Sequence, residues 1–160
     1  MMSAAQPYGL QPGHTSTIRR VEGGMLSYQA DMDMHTNPFE LGLDRLVDLD
    51  IEADFIEKQA LKDIQRAGVT RKQVGILIDG DPVESPNTRM WPLSLNNVTV
   101  GHVTSAVYSP RLDKNIALAM IMVAQADIGT DLVVDILGES RRVKVVEKPF
   151  YDPNKRLAVS

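Results

Sequence analysis

Arg20, Glu22, Asp31, Asp33 and His35 crowd into one stretch, IRRVEGGMLSYQADMDMHTNPFELG at residues 18–42, and these are the side chains here with most capacity for chemistry. At helical spacing Arg20 neighbours Ser16, Thr17, Gly23 and Gly24, none of them a carboxylate, so its guanidinium is free to reach an anion or a buried backbone carbonyl. Glu22 could position a substrate amine or ring nitrogen, or pair with Arg19 three residues earlier; the spacing favours that surface pair, a contact worth a few tenths of a kcal/mol. Asp31, Asp33 and His35 alternate along DMDMH, so an extended backbone would aim all three at one divalent cation. A solvated turn before Pro38 is the simpler reading, because no second ligand cluster lies nearby. His102, Thr104 and Ser105 suggest hydroxyl chemistry, yet His102 and Thr104 share a strand face and no acid completes a triad. Neither GxxxxGK[ST] nor GxGxxG occurs, so phosphate-loop and dinucleotide chemistry have no support.

The elements that must position these residues follow from periodicity. Pro7, Gly9, Pro12 and Gly13 make residues 1–13 a loop or arriving linker. Thr15 or Ser16 can cap a helix in which Ile18, Val21, Met25 and Leu26 recur on one face to about Tyr28, with Gly23 and Gly24 each costing it roughly 0.5 to 1 kcal/mol. A helical turn is expected at 38–41 after Asn37-Pro38, then a strand at 43–49. Asp54 caps a helix over about 54–67, lined by Phe55, Ile56, Ala60, Leu61 and Ile64 and stopped by Gly68. Beyond Gly68 the pattern changes to short β-rich runs at 74–78, 91–95, 98–107, 116–123, 132–137 and 141–146, which indicate a small closed or nearly closed barrel. Ser109-Pro110 reads as a turn, with Arg111 and Lys114 as solvated charges. The fold class is therefore α+β, with a boundary near 69–72.

The chain of 160 residues is 43% hydrophobic and 24% charged, ordinary globular values that point to neither disorder nor a membrane class. A net charge of -4 offers no basic field for nucleic acid. No cysteine is present, which removes disulfides, thiolate metal sites and cysteine nucleophiles. The first residues carry no signal-peptide pattern and no apolar run reaches the ~20 residues of a membrane span, so a cytoplasmic location is expected.

Two stretches together carry a family resemblance. RRVEGGMLSYQADMD followed by NPFELGLDRLVDLD and DFIEKQAL, then VGHVTSAVYSPRLDKNIALAMI, Gly129-Thr130 and KPFYDP at 148–153, resembles the glycine cleavage system T-protein (aminomethyltransferase) family. The resemblance implies the C-terminal portion of that family's folate-binding domain at 1–70, its antiparallel β-barrel domain at 71–152, and a tail at 153–160. It implies a tetrahydrofolate-dependent methyl or aminomethyl transferase, with Glu22, Arg20, Tyr28 and Asp31 matching cofactor-binding positions and Lys155 near another. No catalytic residue is assigned, because the family's N-terminal part, with the aspartate that acts at the folate nitrogen, has no counterpart here. A C-terminal fragment that is inactive alone is the expectation. Folate and a small one-carbon donor would become its partners once an N-terminal half complements it. Ser16 stands where glycine-cleaving members have an arginine, a departure shared with folate-dependent demethylases such as dimethylsulfoniopropionate demethylase. Glu57 replaces a helix glycine of the family, a change expected to matter little on a solvated face. The alternative is a non-catalytic subunit that docks on a separate N-terminal half or self-associates, and it would expose an apolar patch on the 15–28 helix.

Overall fold

Alternating apolar residues on short strands must bury one face and protect two sheet edges, and closing the sheet on itself does both. The computed structural model describes residues 16–154. Within them β1 (Arg71–Ile78), β2 (Trp91–Leu95), β3 (Val98–Ser109), β4 (Lys114–Met122), β5 (Asp131–Ile136) and β6 (Glu139–Val146) form a closed barrel in the order β1-β4-β3-β2-β5-β6. Every neighbouring pair is antiparallel, and β6 returns to β1 through Gly75–Val146 to Ile78–Val143. Ile76, Leu93, Val103, Ala117, Ala119 and Val134 fill the interior without solvent exposure. Two tight hairpins set the register: Asn96 and Asn97 take φ of 51° and 65° between β2 and β3, and Leu137 and Gly138 take 57° and 95° between β5 and β6. Positive φ at both central positions matches the twist of the paired strands.

Residues before the barrel lie across its outer face. Helix α1 (Thr17–Glu22) sets Val21 against Val107, Ile116 and Leu118, and Ile18, Leu26, Leu77, Leu112 and Phe150 extend this second apolar cluster. Ser16 is its N-cap, its hydroxyl accepting from the Arg19 amide at 3.4 Å. The helix is far shorter than its apolar spacing predicts. It stops at Gly23 and Gly24, where Gly24 at φ +65° lets the chain turn; a Cβ at Gly24 would lie 3.6 Å from Lys148 Cβ and Pro149 Cα. The two glycines end the helix instead of weakening its middle.

The expected strand at 43–49 is absent. A turn over 38–42 leads into a 3-10 turn, Asp44–Leu46, in which no residue is buried. Phe39, Leu41 and Leu49 anchor the segment, so its apolar residues are spent on isolated contacts that no strand period connects. The following helix exists but begins later than predicted, as α2 (Lys58–Ala67). Asp54 accepts from the Phe55 amide ahead of it, while the N-cap is Glu57, at φ +67°. Glu57 thus occupies a left-handed position where a glycine would be unstrained, and not the solvated helix face expected for it; the difference is about 1 kcal/mol. No residue of α2 is buried.

Candidate functional site

The crowded stretch of residues 18–42 is organised by one carboxylate. Asp31 is 3% exposed, and its Oδ2 receives the Arg20 guanidinium at 2.5 Å and the Ser27 amide at 2.9 Å. Its Oδ1 accepts from Thr104 Oγ1 at 2.6 Å and from Ser105 Oγ at 2.7 Å. Arg20 in turn donates to the Met25 carbonyl at 3.0 Å and to Ser105 Oγ at 2.8 Å. The guanidinium therefore finds both kinds of partner its sequence context allowed, an anion and a backbone carbonyl.

Adjacent residues of a regular strand face opposite ways, so Thr104 and Ser105 could not both reach Asp31 from an unbroken ladder. The β3–β4 register slips between Val103 and Ser105, leaving Thr104 as the extra residue of a bulge. That bulge turns two consecutive hydroxyls toward one carboxylate. Asn87 braces it from outside, its amide donating to the Thr104 carbonyl at 3.2 Å and its Oδ1 accepting from the Ala106 amide at 2.7 Å.

Glu22 belongs to a separate buried cluster. It accepts from Ser109 Oγ at 2.5 Å and lies 3.9 Å from the Arg111 guanidinium, which stacks 4.1 Å from the Tyr151 ring centroid. The Phe150 and Tyr151 amides both donate to the Glu22 carbonyl, at 2.9 and 3.1 Å. This corrects two sequence readings. Glu22 does not pair with Arg19 on a helix surface, and Arg111 is not simply a solvated charge, because β3 and the C-terminal segment close over the end of α1.

Tyr28 is 55% exposed, in contrast to Asp31. It lines a cavity of about 340 Å³ with Asn87, Arg89, Met90 and Thr104. Asp33 and His35 do not join Asp31: the Asp33 carboxylate accepts from the His35 amide at 2.8 Å, a local turn, and no group of metal-ligating side chains occurs among the described residues. Lys155 lies outside the described residues.

Lys148 went unassigned at the sequence level, although KPFYDP was conspicuous. Its Nζ donates to Gln73 Oε1 at 2.8 Å, which leaves the buried Gln73 Nε2 without a partner among the described residues. Burial lowers the Lys148 pKa from 10.5 to about 8; nearby Lys72 acts in the same direction and Asp31 opposes it. Between these values the unfolded chain holds more protons than the folded one, so this group's contribution to stability grows as pH rises from about 8 to 10.5 and is lost as pH falls through 8. Relative to a Lys148→Met variant, urea denaturation should show the native protein gaining on the order of 2 kcal/mol across that window. Equal slopes for the two proteins would refute it.

The signal that could have found Asp31's partners is thin. Tyr-x-x-Asp and the Thr104-Ser105 pair are far apart in sequence, and only the bulge connects them.

Comparison with known proteins places this geometry. Residues 71–152 match the family model described as glycine cleavage T-protein C-terminal barrel domain. The chain belongs to the glycine cleavage T-protein family, as its C-terminal part. It is 41% identical over 145 residues to a protein of Synechococcus sp. named aminomethyltransferase, covering 91% of this chain and 38% of that one. A protein of the same name from Symbiobacterium thermophilum is 38% identical over 162 residues, covering 98% of this chain and 42% of the other. Among solved structures, glycine cleavage system aminomethyltransferase T from Bartonella henselae aligns with a TM-score of 0.76 at 24% identity, over 85% of this chain and 38% of that one, and shares the fold. The chain thus spans well under half the length of these relatives.

The family implies folate. Arg20 and Asp31 direct their polar atoms at each other and at β3, Glu22 directs its carboxylate at Ser109 and Arg111, and Tyr28 alone of the carried-over group described here faces open space. These residues do not by themselves form a pterin pocket, which needs free donors and acceptors facing a cavity. Among the described residues no helix is long and apolar enough to cross a membrane.

Proposed function

We propose that this chain supplies the C-terminal barrel and the segment packed on it to a tetrahydrofolate-dependent one-carbon transferase. Residues 1–70 continue that enzyme's folate-binding domain, residues 71–152 form its barrel, and the rest of the folate site comes from the portion of the relatives that this chain does not span. The observation carrying this reading is the match of 71–152 to the T-protein barrel, joined to identity that extends over 145 residues with an aminomethyltransferase. Arg20, Asp31 and Glu22 act in it as positioning residues that hold one wall in place, and Tyr28 is the side chain offered to a ligand. Ser16, the N-cap of α1, favours the methyl-transferring, demethylase-like members over glycine-cleaving ones.

The chain alone is expected to be inactive in tetrahydrofolate-dependent methyl or aminomethyl transfer, and to gain activity when mixed with the N-terminal region of a full-length relative. Transfer by the isolated chain overturns the first expectation; an inactive mixture that nonetheless forms a complex overturns the second. A second reading, a non-catalytic partner subunit, is favoured by the solvent exposure of Met25 and Tyr28 just beyond α1 and by the absence of any buried residue in α2. Sedimentation of the chain alone and with that N-terminal region separates self-association from docking.

A further inference from the structure

Lys148 and Gln73 form a pair outside the Arg20–Asp31 network, and one half of that pair is unmatched. Gln73 is held by β1: it stands opposite Met120 of β4, its main-chain amide donates to the Glu40 carbonyl at 2.7 Å, and the residue is 2% exposed. Its Oε1 accepts from Lys148 Nζ at 2.8 Å, whereas Nε2 of the same amide is buried with no partner among the described residues. A buried donor left unmatched costs about 1 to 3 kcal/mol, so it marks a place where an acceptor belongs. We infer that Lys148 is a site of reversible carbamate formation with carbon dioxide, and that the Gln73 amide is the receptor for the carbamate.

The two groups match atom by atom. The oxygen and nitrogen of an amide lie about 2.3 Å apart, so Gln73 Nε2 sits within about 5 Å of Lys148 Nζ. A carbamate on Nζ keeps one N–H and always carries one of its two oxygens on the same side as that N–H. The N–H goes on donating to Oε1, and this oxygen comes within reach of Nε2, closing a ring of two hydrogen bonds. An acetyl group does not fit in this way, because its trans amide turns the oxygen away from the N–H and sets a methyl group toward Nε2. Carbamate formation gives up the weaker contact of Nζ with the Leu41 carbonyl, at 3.5 Å.

The step needs only the amine and carbon dioxide. The Nζ lone pair bonds to the carbon, one C–O π pair becomes the carboxylate charge, and one Nζ proton passes to water. Carbon dioxide is uncharged, so it enters a half-buried site without the desolvation cost that a bicarbonate ion carries. The neutral amine is the reactive form. With its pKa lowered to about 8 by burial, about a quarter of Lys148 is neutral at pH 7.5, against about one part in a thousand of an ordinary lysine. Of the charges that act on it, Lys72 favours the new anion and Asp31 opposes it, with the Asp31 charge offset by Arg20.

The full chain, equilibrated at about pH 7.5 with isotopically labelled bicarbonate and carbon dioxide, is trapped with triethyloxonium and digested for mass spectrometry. Labelled carbamate on Lys148 is expected at least about tenfold above that on the exposed Lys72, Lys114 and Lys144. In NMR spectra of the same chain at constant pH, the Gln73 side-chain amide signals should shift as carbon dioxide is added and return as it is removed. Gln73→Leu should lower the carbamate on Lys148 by about fivefold or more relative to acetylation of the same lysine by acetic anhydride, a ratio that cancels any change in amine reactivity. The proposal is overturned if Lys148 traps no more label than the exposed lysines, if the Gln73 signals stay still while Lys148 is labelled, or if Gln73→Leu leaves that ratio unchanged. The NMR measurement needs no substitution, so it decides the role of Gln73 even if the variant does not fold. Neither folate nor a one-carbon donor takes part, so failure here leaves the transferase assay untouched, and failure of that assay leaves the carbamate standing.

Discussion

Asp31→Ala is expected to destabilise the protein by about 3 to 5 kcal/mol, a large fraction of what a domain of this size possesses. The substitution leaves the Arg20 guanidinium, only 22% exposed, without its counter-charge and strips Thr104, Ser105 and the Ser27 amide of their acceptor. Water cannot simply replace the carboxylate, because the Asp31 side chain is fully enclosed. The diagnostic comparison is a double variant, Arg20→Met with Asp31→Leu, which removes both charges together and should recover a substantial part of the loss. Urea denaturation of the single and double variants measures this. A loss below about 1 kcal/mol in Asp31→Ala would mean the pair is a surface ornament. Since Asp31 joins α1, the 25–33 loop and β3, its removal should also loosen the cavity wall carrying Tyr28.

Gly101→Ala is expected to be at least as damaging, through a different mechanism. A Cβ on Gly101 would fall 2.2 Å from the Met120 carbonyl oxygen and 2.7 Å from the Ile121 Cα. Both obstacles are backbone of the paired strand β4, so no rotamer change relieves them. Either β3 and β4 separate, breaking the ladder between Gly101–Ile121 and His102–Met120, or the protein does not fold. The expected loss is above about 3 kcal/mol, at the upper end for overpacking. Gly75→Ala is the control: its Cβ would meet the Phe150 ring at 3.0 Å and the Val146 carbonyl at 3.2 Å, and the ring can shift. That variant should lose about 1 to 2 kcal/mol. Thermal unfolding ranks the two, and the reverse order would contradict the explanation.

Much of the barrel was legible because strand residues declare themselves locally. All six β-rich runs appear as strands, β2 with the same limits and the others extended or trimmed at their ends by one to three residues. Interior packing enforces the alternation that periodicity reads. The N-terminal segment was less legible for the complementary reason. Its apolar residues are few and are distributed over separate contacts with the barrel, so the helix to Tyr28 and the strand at 43–49 were patterns without a common buried face. Gly24 and Glu57, at φ 65° and 67°, decide the true limits through backbone conformations that periodicity does not register.

The sequence by itself determined a small closed or nearly closed barrel after Gly68, the family carried by its motifs at 19–61 and 100–153, and a chain without thiol chemistry. Only the tertiary structure decided what the charged residues do. Asp31 is a partner of Arg20, Thr104 and Ser105, and not a metal ligand beside Asp33 and His35, because a bulge in β3 presents two adjacent hydroxyls to one enclosed carboxylate. Glu22 faces Ser109 and Arg111 for the same kind of reason: strand register and chain crossing bring distant residues together. A carboxylate's role depends on what surrounds it in space, and local sequence specifies only which side chain is available to be surrounded.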